Sequence, residues 1–262
     1  MVTNEIVHLA VASPDNIETS LVKEAALMLK KDPYETRMLL TGKLPKLIAH
    51  YQSVEEAATI ARQLKTLGLV AFTVNDSELG KSPATRFSAR ALELVEQEIV
   101  FRDNNNRTLK LETKDVFLIL KGKYQISSDK PVTTTRMKFN LGATLITGGI
   151  PVWRKVTETS KTNEGETGYF VRIYNRDSAE SLVEFFENSF NYSSLGAGIA
   201  PSSTTNLNSI VGKLKAAFPL AIFDDRLTQP IGITEVYDKK ANAVELNCKL
   251  IYLYYQAVSS PS

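Results

Sequence analysis

Asp103 and the run Glu112-Thr113-Lys114 come closest, by residue type and spacing, to a catalytic set in this chain. An acidic residue followed on the next strand by Glu-x-Lys lets two carboxylates hold a Mg²⁺ ion. The lysine then positions an attacking water or stabilises developing charge. The chemistry would be metal-dependent hydrolysis of the nuclease kind, with Asp115, Asp224 and Asp225 as further ligands. The same residues also have a plainer reading. Asp103 opens Asp-Asn-Asn-Asn, where aspartate is favoured because its side chain bonds the backbone of a turn, and Glu-x-Lys suits any solvated strand edge.

Other chemistries are poorly supplied. A structural zinc site needs clustered thiols and imidazoles, and the chain holds one cysteine, Cys248, and two histidines, His8 and His50. Both histidines fall on predicted strands and read as partly exposed strand residues, not as a base or a ligand. Neither stands beside a Gly-x-Ser-x-Gly elbow. Gly148-Gly149 lacks the lysine of a phosphate-binding loop and is followed by Pro151, so it reads as a turn or bulge. Leu195-Gly196-Ala197-Gly198 reads as a loop before a helix, able to offer amides to an anion. No metal or cofactor is expected.

Two groups are candidates for binding. Asp224-Asp225-Arg226 follows the strand-like run Leu220–Phe223 and reads as a turn at a strand end, with Arg226 paired to one carboxylate. Trp153, the sole tryptophan, precedes Arg154 and Lys155. It reads as a core residue or as a contact anchor, since Trp and Arg dominate interface energetics.

The elements that must position these residues are those of a globular chain. Of 262 residues, 43% are hydrophobic and 23% charged, enough apolar material for one large or two ordinary domains. A net charge of +2 carries no surplus of the kind phosphate-driven nucleic-acid binding needs. A local basic set, Arg136, Lys138, Arg154, Lys155 and Lys161, leaves weak nucleic-acid or anionic-surface binding as a third functional reading. The single cysteine suits a reducing compartment. The opening residues lack a basic, apolar leader pattern, and no apolar run approaches the ~20 residues of a membrane span. The expected location is cytoplasmic.

The first 76 residues read as a βααβαβ module. Ile6–Ala12 is a short apolar run ended by Ser13-Pro14-Asp15. Asn16 is placed to cap a helix carrying Ile17, Leu21, Ala25 and Met28, which stops at Asp32-Pro33. Pro33 starts a second helix, Tyr34–Leu40, ending near Gly42. Lys46–Tyr51 is a strand. Ser53-Val54-Glu55-Glu56 is a capping box before a helix whose apolar face is Ala57, Ile60, Ala61, Leu64 and Leu67. Gly68 closes that helix, and Leu69–Val74 is the last strand.

The run PKLIAHYQSVEEAATIARQLKTLGLVAFTV resembles the second half of the ribosomal stalk protein's C-terminal domain, a fold shared with the Clp-protease adaptor family. The shared features are a lysine- or proline-led strand, a Ser-x-Glu-Glu-Ala helix start, a Leu-x-x-x-Gly helix end and an alternating strand. The resemblance implies a small docking domain. It does not transfer a ligand. The family's factor-binding helix is rich in glycine and lysine, whereas Leu27–Met38 has three basic residues and no glycine. The adaptor's acidic turn is reduced here to Ser13-Pro14-Asp15-Asn16.

Ser77–Arg86 reads as a linker, and residues 87–262 as an α+β domain. Glu98–Arg102 and Thr108–Glu112 flank the Asn-rich turn as a hairpin. Asp115–Lys121 reads as a central strand, Glu158–Gly168 as an exposed polar loop, and Tyr169–Tyr174 as a strand. Thr144–Ile150 holds the glycine pair. Ser178–Phe190 fits an amphipathic helix, as does the segment from Ser202 carrying Leu207, Ile210, Val211, Leu214 and Phe218; Asn242–Val258 is favoured as a third. Strands followed by helices faintly resemble a bacterial pleckstrin-homology-like barrel. The leading functional expectation is a non-catalytic, adaptor-like interaction or regulatory protein whose partner is another protein. The metal-dependent nuclease-like hydrolase is the alternative.

Overall fold

Local signals fix the first third of the chain. A computed structural model describes residues 5–14, 16–81, 86–95, 98–139, 153–229 and 240–259, with side chains described there outside 95, 125–139, 153–166 and 240–242. Strand β1 (Val7–Ala12) leads to helices α1 (Thr19–Leu29) and α2 (Pro33–Leu40), strand β2 (Lys46–Tyr51), helix α3 (Val54–Thr66), strand β3 (Val70–Asn75) and the short helix α4 (Asp76–Gly80). Lys30, left-handed at φ 53°, ends α1. The Asp32 carboxylate accepts from the amide of Tyr34 at 2.8 Å and caps α2, with Pro33 as its first residue. Ser53 accepts from the Glu56 amide at 3.2 Å and caps α3, and Gly68 (φ 83°) lets the chain turn out of it.

β1 is the middle strand of an antiparallel sheet ordered β2-β1-β3. Leu9 and Val11 meet Ala25 and Leu29 of α1, Ala61 and Leu64 of α3, and Ile48 and Ala71 of the flanking strands in one core. Burying each large apolar side chain contributes roughly 1.5–3 kcal/mol.

The rest is strand-rich. It comprises β4 (Phe87–Ser88), β5 (Ala91–Val95), β6 (Glu98–Arg102), β7 (Thr108–Glu112), β8 (Leu118–Phe139), β9 (Trp153–Tyr174), β10 (Val183–Phe186), helix α5 (Ser203–Ala217), β11 (Ile222–Leu227) and helix α6 (Lys240–Ser259). β5, β6 and β7 form an antiparallel meander, and the other strands form a five-stranded sheet ordered β11-β8-β9-β10-β4. A second core joins Leu92, Ile99 and Phe101 of the meander to Val171, Ile173, Val183 and Phe185 of the sheet. It is closed by Leu207, Ile210, Val211, Leu214 and Phe218 of the α5 segment. The architecture is α+β. The chain packs as two units, Met1–Lys123 with Tyr169–Ser262, and Tyr124–Gly168. Among the described residues, no helix is long and apolar enough to cross a membrane.

Several local expectations are corrected. Within Ser178–Phe190, read as a helix, Val183–Phe186 is a strand and Glu187–Ser189 a 3-10 turn. The i, i+3, i+4 spacing of Leu182, Phe185 and Phe186 suits a helix. The β-branched and aromatic run instead fills the open edge of β9, where Val183 pairs with Ile173 and Phe185 with Val171. Glu158–Gly168 lies inside β9, because strand pairing satisfies backbone groups whatever the side chains carry. Thr113–Asp115 is a 3-10 turn, so the central strand starts at Leu118. Glu18, not Asn16, stands at the N-cap position of α1, and its side chain makes no hydrogen bond to the helix amides. The linker segment opens with α4. Thr144–Ile150 lies outside the described residues.

Candidate functional site

The residues of the hydrolase reading do not converge. Glu112 stands opposite Glu98 at one end of the β6–β7 ladder, while Asp103 follows Arg102 at the other. Five strand positions of ~3.3 Å separate their ends by roughly 16 Å, too far to share one ion. Asp103 is buried in its turn and accepts from the amides of Asn105 at 2.8 Å and Arg107 at 2.9 Å and from Arg107 Nε at 2.6 Å. Burial pushes its carboxyl up, and the Arg107 contacts and the amide bonds outweigh this, leaving it below the ordinary carboxylate value. Lys114 instead forms an exposed 2.7 Å pair with Glu112, whose hydrogen bond raises the lysine pKa. Asp115 is used in accepting from the Glu112 amide at 3.0 Å. Among the described residues, no three His, Cys, Asp or Glu side chains are grouped to hold a metal ion.

Asp224-Asp225-Arg226 lies within β11, at a shift in its register against β8, and not beyond the strand's end. Asp224 is buried and accepts from Arg226 Nε at 2.8 Å and Nη2 at 2.6 Å, while Asp225 is exposed. Arg226 Nη1 donates to the Lys43 carbonyl at 2.7 Å, and its guanidinium lies over the rings of Tyr254 and Tyr255. The cluster therefore ties β11 to α6 and to the loop before β2. Trp153, Arg154 and Lys155 begin β9, and Lys161 follows in it, while Arg136 and Lys138 end β8; the side chains of all six lie outside the described residues. Gly148-Gly149 lies outside them altogether. Ser193–Gly198 forms a 3-10 turn, and the amides of Leu195 and Ile199 are spent on the carbonyls of Tyr192 and Gly196.

Two polar constellations join residues that lie far apart in the sequence. In the first, Arg86, Arg172, Glu184 and Glu245 gather from the approach to β4, from β9, from β10 and from α6. Arg172, whose side chain is 5% exposed, donates Nε to Glu184 at 2.5 Å and both terminal nitrogens to Glu245, at 3.1 and 2.5 Å. Arg86 donates to the same two carboxylates. Burial pushes the Glu245 carboxyl up, but the hydrogen bonds from Arg86 and the charge of Arg172 outweigh it and leave the pKa below its ordinary value. The network clamps α6 to the sheet. Alongside it, Tyr252 donates to the Arg176 carbonyl at 2.7 Å and Lys249 to that of Glu78.

The second joins the two histidines, both on strands as expected, with His50 exposed and His8 enclosed. His8 and His50 are cross-strand partners, with Nδ1 to Nδ1 at 2.9 Å, and His8 Nε2 lies 2.8 Å from Asp76 Oδ1. His8 is buried, not a partly exposed strand residue.

Three of the nine exposed large apolar side chains among the described residues lie on α1 and α2, which pack on each other; the others are dispersed over the chain. Leu27 is 80% exposed, Tyr34 74% and Met38 57%. An open recess of about 360 Å³, lined by Asn16, Ile17, Glu18, Arg37 and Thr41, borders the same helices. Leu220 is as exposed but stands alone in a turn beside Pro219. No family model, curated protein or solved structure matches the chain. Its class therefore follows from its own geometry. It is an α+β protein in which, among the described residues, the candidate catalytic acids Asp103, Glu112 and Asp224 are each paired with a neighbouring Arg or Lys, and in which Leu27, Tyr34 and Met38 of α1 and α2 face solvent.

Proposed function

We propose that the chain is a non-catalytic, adaptor-like interaction protein that docks another protein through the α1–α2 face. One observation carries this reading: Leu27, Tyr34 and Met38 project into water from two packed helices, while the apolar residues around them fill a core. Exposed apolar clusters of this kind mark association surfaces. The likeness of residues 1–76 to the stalk and adaptor domains supports the same reading, since those are docking folds.

The test compares wild type with Leu27→Glu/Met38→Glu. Both positions are exposed, so the melting temperature should move little. A partner that crosslinks to α1–α2 of the wild type in cells, at a site mapped to those helices, should be lost from the double variant. Retention of every crosslinked partner by the variant would contradict the reading.

A further inference from the structure

His8 and His50 are the chain's two histidines, and the fold sets them against each other. The Asp76 carboxylate can only accept, so His8 Nε2 donates to it. His8 Nδ1 is then bare and accepts, and His50 Nδ1 must be the donor at 2.9 Å. The lone pair of His50 Nε2 is left, and it belongs to the exposed residue of the pair. A first proton has a place there, because it leaves both hydrogen bonds intact. A second does not. It would have to sit on His8 Nδ1, where two N–H groups would face each other across the same 2.9 Å.

The strand that carries His50 is one of the two edges of its sheet. Like β3, β2 is paired with β1 alone, but the β1–β2 register slips at Leu9/Ala10, whereas the β1–β3 register is unbroken. The charged groups around the pair reinforce the count of protons. Asp76 faces it from α4 and Lys31 from beyond α1, Lys31 being paired with Glu35 at 2.5 Å. From α6, Lys249 reaches the carbonyl of Glu78 on α4. Burial, then His8, then Lys31 push the His50 pKa down, and Asp76 opposes them.

We propose that His8, His50 and Asp76 form a proton-counting clasp on the edge strand β2, holding it with at most one added proton and releasing it when a second binds. The sign follows from linkage. The open strand takes up more protons than the closed one, so closure is complete above the ordinary histidine value near 6.5 and is lost as pH falls below it. A difference of at least one proton makes the opening constant rise about tenfold or more per pH unit.

Two measurements on the full-length chain test this. Long-range ¹H–¹⁵N spectra at pH ~8, where histidine is neutral, should show the proton of His8 on Nε2 and that of His50 on Nδ1. A proton on Nε2 of His50 would overturn the clasp. Hydrogen exchange, corrected for its intrinsic pH dependence, should then show the Lys46–Tyr51 amides losing protection about tenfold per pH unit between roughly pH 6.5 and 5. The amides of the β1–β3 ladder should keep theirs. In His8→Gln/His50→Gln, which cannot titrate there, the β2 slope should be flat. A slope equal to that of wild type would overturn the proposal, as would two rings that each gain a proton in the wild type while β2 stays protected.

Discussion

Replacing Glu245 by alanine tests most directly what holds α6 in place. The change removes a carboxylate that accepts from both guanidiniums, Arg86 at 2.9 Å and Arg172 at 2.5 and 3.1 Å, and leaves Glu184 as the one remaining anion of the network between buried Arg172 and partly buried Arg86. Removing one partner of a buried pair costs about 3–5 kcal/mol, since the remaining charge stays out of water. The Glu245 side chain is 35% exposed, so water can reach the gap and relieve part of the loss. A cost of about 3 kcal/mol is expected, near the lower end of that range. For a chain of this size this corresponds to a fall of roughly 6–12 °C in melting temperature. Urea unfolding and calorimetry near neutral pH measure it. Glu93→Ala, which breaks an exposed 3.1 Å pair with Arg102, is the control and should cost about 0–1 kcal/mol. The difference also has a pH signature. The folded Glu245 pKa lies below its unfolded value, so its contribution is present above about pH 4.3 and lost as pH falls through the folded pKa. The gap between wild type and variant should therefore close in acid. A Glu245→Ala protein as stable as the Glu93→Ala control would refute the clamp.

Two further outcomes follow from the packing. A Cβ added at Gly122 would run into the ring of buried Phe170, with Leu227 Cβ at 3.1 Å behind it, so Gly122→Ala should cost about 1–3 kcal/mol in urea unfolding. Saturating Mg²⁺ should leave the melting temperature of wild type and Asp103→Asn unchanged, because Asp103 is committed to Arg107 and its turn; a Mg²⁺-dependent rise in wild type that Asp103→Asn abolishes would restore Asp103 as a ligand.

The N-terminal elements were legible because their signals are local. Ser53, Pro33 and Gly68 each act within a turn of the helix end they define, and the Asp-Asn-Asn-Asn tetrapeptide marks the β6–β7 hairpin in the same way. Val183–Phe186 departs from the helical expectation because the spacing of a segment this short fits either period, and the choice falls to β9, whose partner edge no local pattern reveals. Long-range polar pairing left no trace in the sequence. Arg86 and Glu245 stand 159 residues apart, and neither has a neighbour in sequence that hints at the other. The histidine pair is an intermediate case. It becomes visible once β1 is paired with β2 in the right register, which the alternation of Leu47, Ile48, Ala49 and His50 alone does not set.

Cys248 lies on α6 one turn from Glu245, buried, with burial pushing its thiol up to about 11 despite the nearby Arg172. A protonated, enclosed sulfur is a poor nucleophile while the helix is seated. It becomes an ordinary one as soon as the helix lifts. The chain thus carries its own chemical stopwatch. The rate at which a thiol reagent modifies native protein, set against its rate with free cysteine, gives the fraction of time the C-terminal helix spends away from the sheet, with no label engineered in.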